Sequence, residues 1–441
     1  MTRTRSVTAV LMLGLALAGC NTLRKGKPKT PVLGDRISVL ATELDIVVDP
    51  ATANIPMALP PAQVNADWSQ PGGAPSKAPG HLALGTSLGQ AWNISIGAGA
   101  AKGARLAAAP VVAGGKIFTI DTQSTVRAFD AKTGGLAWAT QFGTEKRGGP
   151  SLFGGGVAAD GGRVFATNGL GFVAALDAGN GGKVWQKRLG GPLRGAPSVF
   201  NGTLYAMSQD NQVYSLNEAD GSTNWSNAAA LEIAGIFGAS SPAIAQGTVV
   251  AGFSSGELNA YRYENGRIVW QDTLARTSIR TSVSSLADID ASPVIDNGQV
   301  FALGQGGRMV ALDLVSGQRL WELNLAGIST PSVVGDWVFI VTDEAKVVAI
   351  ARGTGKVRWI AQLPRYRHLK AKSGPINYRG PILAGGRLIL TGSNGTLINL
   401  DPATGSFQSQ TNAGGGISLP PIVANQTLYV LSDSGRLAAY R

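Results

Sequence analysis

Few side chains in this chain carry reactive or metal-binding chemistry. Among 441 residues there is one cysteine, Cys20, and two histidines, His81 and His368. A single thiol cannot build a disulfide framework or a cysteine-rich metal centre. A histidine-based metal site or catalytic triad would have to recruit both imidazoles or none, so the expectation is no metal and no catalytic residue. Three other groupings stand out. Asp288 and Asp290 form an acidic pair in SSLADIDASP; Leu231 and Ile233, followed by Ile236 and Phe237, form an apolar run; and Arg365, Arg367, His368, Lys370, Lys372 and Arg379 gather in one basic stretch. Charge pairing and apolar docking are the chemistry such groups perform.

What must position them is a repeat. From Pro293 to Trp321 the sequence PVIDNGQVFALGQGGRMVALDLVSGQRLW reads as three short strands and the start of a fourth, turned at Asn297-Gly298, Gly306-Gly307 and Ser316-Gly317. Gly and Asn between short apolar runs mark antiparallel hairpins. The unit recurs at Pro110 to Trp138, Pro150 to Trp185, Pro197 to Trp225, Pro242 to Trp270, Pro331 to Trp359 and Pro381 to Ser409. Most copies end in Ala-x-Asp-x-x-x-Gly-x-x-x-Trp, and this spacing suits four strands per unit.

The ends of the array complement each other. A lone last strand surrounds Trp92, and residues 421–441 supply three strands without a Trp strand. Joined, they make an eighth unit and close a ring, which removes the exposed ends of an open array. The predicted fold is therefore all-β, an eight-bladed β-propeller of four-stranded antiparallel blades over 89–441, closed by an N-terminal strand that completes the C-terminal blade. Trp92, Trp138, Trp185, Trp225, Trp270, Trp321 and Trp359 then fall at equivalent positions as spacers between blades, and the motif aspartates 130, 177, 313 and 401 accept backbone hydrogen bonds in the preceding turn. Ser409 breaks the series.

Gly is abundant at 60 residues and charge sparse at 15%, as a strand-and-turn protein requires. The formal charge is +11, or +9 without Arg3 and Arg5, which suits either a soluble basic surface or contact with acidic partners or anionic membranes. The basic stretch 365–379 has too few aromatics for a nucleic-acid platform. An acidic partner, lipid headgroups or plain solvation would each suit it.

The N-terminus has export character. Arg3 and Arg5 precede an apolar core from Val7 to Ala18 that is too short to span a bilayer. It ends in Leu17-Ala18-Gly19-Cys20, which resembles the lipobox of bacterial lipoproteins. The resemblance implies a signal peptide over 1–19 and diacylglyceryl transfer to the Cys20 thiol, with Asn21 favouring the outer membrane. Several acyl chains make such anchoring stable. Residues 20–88 lack the repeat: Arg24, Lys25, Lys27 and Lys29 form a basic tether, a Pro/Gly-rich extension follows, and Trp68 is expected to pack on the main body.

The repeat motif resembles that of quinoprotein propellers, dehydrogenases that bind pyrroloquinoline quinone. Those enzymes stack the quinone on a vicinal disulfide and hold calcium with Glu, Asn and Asp. The disulfide is impossible here, so no cofactor is expected. Lipobox, basic tether and an eight-bladed ring together resemble the BamB family of propeller lipoproteins. That family implies a non-catalytic scaffold that docks on the barrel-inserting subunit (BamA-like) of the outer-membrane β-barrel assembly machinery, on the periplasmic face, and meets unfolded outer-membrane proteins. Carried over, its docking residues are Asp288 and Asp290 in one connector and Leu231 and Ile233 in the other; Ala234 stands where the family has Arg. Both connectors flank blade four on one face of the ring. A periplasmic or surface ligand-binding propeller is the other reading, because fold alone does not fix function.

Overall fold

The computed structural model describes residues 46–143, 154–231, 239–274 and 287–441. Thirty-two of its strands form eight four-stranded antiparallel sheets, and two short ones form a separate hairpin. The blades span residues 111–141, 155–188, 198–228, 243–273, 294–323, 332–362 and 378–412, and the eighth combines 422–440 with Gln90–Ser95. Seven sheets run in chain order from an inner strand at the ring axis to an outer edge strand, and in the eighth the outer strand is Gln90–Ser95. The middle strands are buried on both faces while the outer strands alternate, so the apolar core lies between neighbouring sheets.

The blade motif is a lock between adjacent sheets. In each outer strand a bulge precedes the Trp position, which re-aims the strand. The indole N–H then donates to a carbonyl of the next blade: Trp138 to Ala178 at 3.1 Å, Trp185 to Glu218 at 2.9 Å, Trp225 to Tyr263 at 2.9 Å, Trp270 to Leu314 at 2.8 Å, Trp321 to Arg352 at 2.7 Å and Trp359 to Pro402 at 3.0 Å. The motif Gly of that next blade lies against the indole in a left-handed conformation. At Gly355, with φ 71°, a Cβ would fall 2.8 Å from Trp321 Cγ and Cδ2. The motif aspartates accept from the backbone N–H groups two and three residues on, as Asp313 does from Val315 and Ser316 at 3.2 and 2.8 Å.

The ring closes as the sequence implies. Gln90–Ser95 pairs antiparallel with Arg436–Tyr440, and Gly89 and Arg441 exchange both backbone hydrogen bonds at 2.7 and 3.0 Å. This join stands where each of the other seven blades has its motif glycine turn, which explains Ser409. A Trp there would have no glycine turn to cover, and strand Phe407–Asn412 is exposed along its length. Trp92 packs on Tyr429 at 5.8 Å. The equivalent carbonyl ahead of it, Ala131, is taken instead by the Tyr429 hydroxyl and the Arg441 guanidinium.

Residues 60–85 do not hang free. They thread one mouth of the ring and cap the otherwise unpaired edges of the inner strands. Trp68 and Val112 exchange backbone hydrogen bonds at 2.8 Å; the carbonyls of Asn65, Ser69, Pro75 and Ser76 accept from Asn425, Ala159, Ile244 and Ile295; Leu82 donates to Leu383. The Gln70 amide brackets the backbone of Val199 with two bonds of 3.1 Å. Trp68 is buried, as expected. His81 fastens the segment's exit: it accepts at Nε2 from Gly386 N–H, so its Nδ1–H donates to Pro60 at 2.7 Å. Lys77 lies wholly buried in this plug with its Nζ 2.8 Å from Ser198 Oγ, and burial pushes its ammonium down to about 7.

Candidate docking site

Blade order fixes which face is available. The plug contacts the inner strands near their first turns, so it occupies the mouth on that side. The connectors from each outer strand to the next inner strand lie on the opposite face, and there the chain brings charged side chains toward the ring axis.

Each of these side chains precedes the proline that opens an inner strand. Arg194 and Asp290 stand three residues before Pro197 and Pro293, and Arg379 two residues before Pro381. Arg194 is fully buried and donates through Nη2 to Asp290 Oδ1 at 3.1 Å across the ring from blade three to blade five. Burial holds the Asp290 carboxyl above its ordinary value, while the Arg194 and Arg379 charges pull it back. Arg379 donates to the carbonyls of Ser418 and Ile328 at 3.0 and 3.1 Å and feels Asp290, Asp343 and Asp433. Asp343 is likewise raised by burial. Low local dielectric makes such a network stabilising when complete and costly when broken.

Asp288 is also fully buried; its carboxylate acts on Arg194, and its carbonyl accepts from Gln305 N–H at 2.9 Å. Both aspartates that the sequence marks as docking residues are thus buried beside Arg194. The apolar half of the candidate site is different. Leu231 is 71% exposed. The residue before it is pinned on both sides: Asn211 donates to the Ala230 carbonyl at 2.7 Å, and Glu257 of blade four accepts from Ala230 N–H at 2.8 Å. Ile233, Ile236 and Phe237 lie outside the described residues, as do Ala234 and Cys20.

Among the remaining sequence candidates, Arg379 belongs to the axial network, whereas Arg365, Arg367, His368, Lys370 and Lys372 form an exposed hairpin. The sequence reading missed Arg194, Arg379 and Asp343 as partners of Asp290. A charged residue two or three positions ahead of an inner-strand proline is the signal that points to the first two. Among the described residues, no group of three or more His, Cys, Asp or Glu side chains could hold a metal ion.

Eight four-stranded blades locked by Trp and Gly, closed by a composite blade and lined by an axial charge network, define a propeller of the quinoprotein-repeat class. That fold is shared widely. The structure of BamB from Moraxella catarrhalis superposes with a TM-score of 0.65 at 19% identity, covering 81% of this chain and 98% of that one. A europium-containing methanol dehydrogenase superposes as well, at 0.67 and 13% identity, covering 83% and 89%. Sequence separates the two. A family model described as outer membrane protein assembly factor BamB matches residues 122–361, and the chain belongs to that family. The Vibrio cholerae factor is 30% identical over 348 residues, covering 78% of this chain and 86% of its own, and that of Yersinia pestis 28% over 337 residues, covering 75% and 83%.

Proposed function

We propose that this chain is a non-catalytic scaffold lipoprotein, lipidated at Cys20 and held on the periplasmic face of the outer membrane. It docks through its connector face on the barrel-inserting subunit (BamA-like) and so assists insertion of outer-membrane proteins. Family membership supports the assembly role. The observation that carries the docking face is Leu231, a large apolar side chain left exposed next to Ala230, whose backbone is held by Asn211 and Glu257; binding residues concentrate on loops positioned by a rigid scaffold. Ile233 extends the same connector. Asp288 and Asp290 contribute as buried charges beside Arg194, with Asp290 paired to it rather than offering a free charge. A single thiol at Cys20 supports the non-catalytic reading over a quinone enzyme, because no adjacent cysteine pair exists in the chain.

Leu231→Glu tests the site. Full burial of a Leu in an interface contributes about 1.5–3 kcal/mol, so binding to the periplasmic domains of the barrel-inserting subunit should fall roughly ten- to a hundredfold with an unchanged melting temperature. Unchanged binding would remove this face from the interface.

A further inference from the structure

The positive charge of this protein is concentrated in one sector. From residue 345 through 400 there is no Asp or Glu, while Lys346, Arg352, Lys356, Arg358, Arg365, Arg367, Lys370, Lys372, Arg379 and Arg387 contribute ten cations. This stretch is the outer half of blade six and most of blade seven. Several of the ten are used internally. Arg352 pairs with Asp296, Lys356 with Asp49 at 3.4 Å and Lys346 with Glu344 at 2.9 Å; Arg379 lies in the axial network, and Arg387 donates to the Gly85 carbonyl. Arg358 donates to the Ala403, Thr52 and Ile55 carbonyls from the blade-six outer strand Val357–Gln362. The other four, Arg365, Arg367, Lys370 and Lys372, lie on or beside a hairpin formed by Tyr366–His368 and Ser373–Pro375, which leaves the far end of that strand.

The hairpin is held in place. Ile376 N–H donates to the Arg365 carbonyl at 2.9 Å, Arg367 to Ser393 at 2.6 Å and the Tyr378 hydroxyl to Pro364 at 2.9 Å. At its tip Leu369 is 66% exposed between His368 and Lys370, and Lys370 and Lys372 make no ion pair among the described residues. At the other end of the same outer strand, Val48 pairs with Val357 and Asp49 donates to the Val357 carbonyl. There Val47 and Ile55 are 73% and 49% exposed.

We infer that this edge, the blade-six rim with the 366–375 hairpin, rests on an anionic phospholipid surface. The hairpin cations meet headgroup phosphates, and Leu369, Val47 and Ile55 enter the interfacial layer. Basic residues around a protruding apolar side chain suit a lipid interface, where each Lys or Arg near the surface strengthens binding about fivefold and apolar contact adds to it. An acidic protein partner would use the cations but would leave the Val47–Ile55 end of the strand without a role. The rim lies well around the ring from Leu231, so membrane contact leaves the connector between blades three and four free.

The test uses the unit Ile46–Arg441, which is compact by itself and contains all eight blades and the plug, so no acyl chain contributes. Co-sedimentation compares vesicles of equal parts phosphatidylglycerol and phosphatidylcholine with vesicles of phosphatidylcholine alone. Binding to the first only, weakened by salt, is expected. Lys370→Ala with Lys372→Ala should reduce it about 25-fold, and Leu369→Ala several-fold, both without change in melting. Lys132→Ala with Lys183→Ala, exposed cations on blades one and two, should leave it unchanged. Equal binding to both vesicles, no binding, or equal loss in the control variant overturns the inference. So does a hairpin variant that binds vesicles normally but loses a protein partner.

Discussion

Gly355 and Trp321 offer the sharpest test of the blade lock. Gly355 has φ 71°, and an added Cβ would meet Trp321 Cγ and Cδ2 at 2.8 Å. Gly355→Ala should therefore incur two costs, about 1–2 kcal/mol for a left-handed non-glycine residue and about 1–3 kcal/mol for overpacking against the indole. Trp321→Ala should cost about 3–5 kcal/mol for a deleted buried aromatic, including the hydrogen bond to Arg352. In the double variant the methyl enters vacated space, so only the backbone cost survives. The pair should then be about 1–3 kcal/mol more stable than the sum of the singles. Gly298→Ala isolates the backbone cost, since Gly298 has φ 74° and no atom within 4 Å of an added Cβ. Urea denaturation of the four variants measures the cycle. Additivity within about 0.5 kcal/mol would mean that the motif glycine serves its turn alone and does not pack the blades, and the lock would be refuted.

Two further outcomes follow from buried charge. Asp290→Asn should cost about 3–5 kcal/mol because it strands Arg194 in the interior, whereas Arg194→Met with Asp290→Asn should recover most of that; thermal melts of both decide it. Lys77 has a folded-state value near 7 against an ordinary 10.5. The unfolded chain therefore binds the extra proton between about pH 7 and 10.5, and stability rises with pH across that window and carries the full cost below it. Lys77→Met should remove this slope and stabilise the protein at pH 7 by up to about 5 kcal/mol, read by urea midpoints at pH 7 and 10; a slope retained in the variant would assign it elsewhere.

The blades were legible because the motif couples two periodicities that survive in sequence. Strand alternation marks the sheets, and Asp-x-x-x-Gly-x-x-x-Trp marks the turn and the lock. Composite closure followed from the complementary deficits at Trp92 and Pro421. Ser409 read as a defect only because a single strand does not reveal what its neighbour lacks, here the glycine turn replaced by the Gly89–Arg441 join. The plug was illegible for a different reason. Ser69, Pro75 and Ser76 dock through backbone atoms, one bond to each blade, and main-chain docking leaves no side-chain pattern. At Asp288 and Asp290 the spacing located the connector but not the direction of the side chains, which depends on Arg194, ninety-six residues earlier in sequence.

The composite blade also dictates an order of events. Gln90–Ser95 leaves the ribosome before any complete sheet, yet its only partner strand, Arg436–Tyr440, is the last of the ring's strands to be synthesised. Seven blades can assemble one after another from local hairpins, which are quick to form, but the circle cannot shut until the first strand has waited for the last. The plug waits too, since its anchors are spread from Val112 to Asn425. Throughout that interval the nascent molecule carries an unpaired strand at each end, the state in which chains pair wrongly with one another. Closure is therefore the step that needs the pairing of greatest sequence separation in the ring.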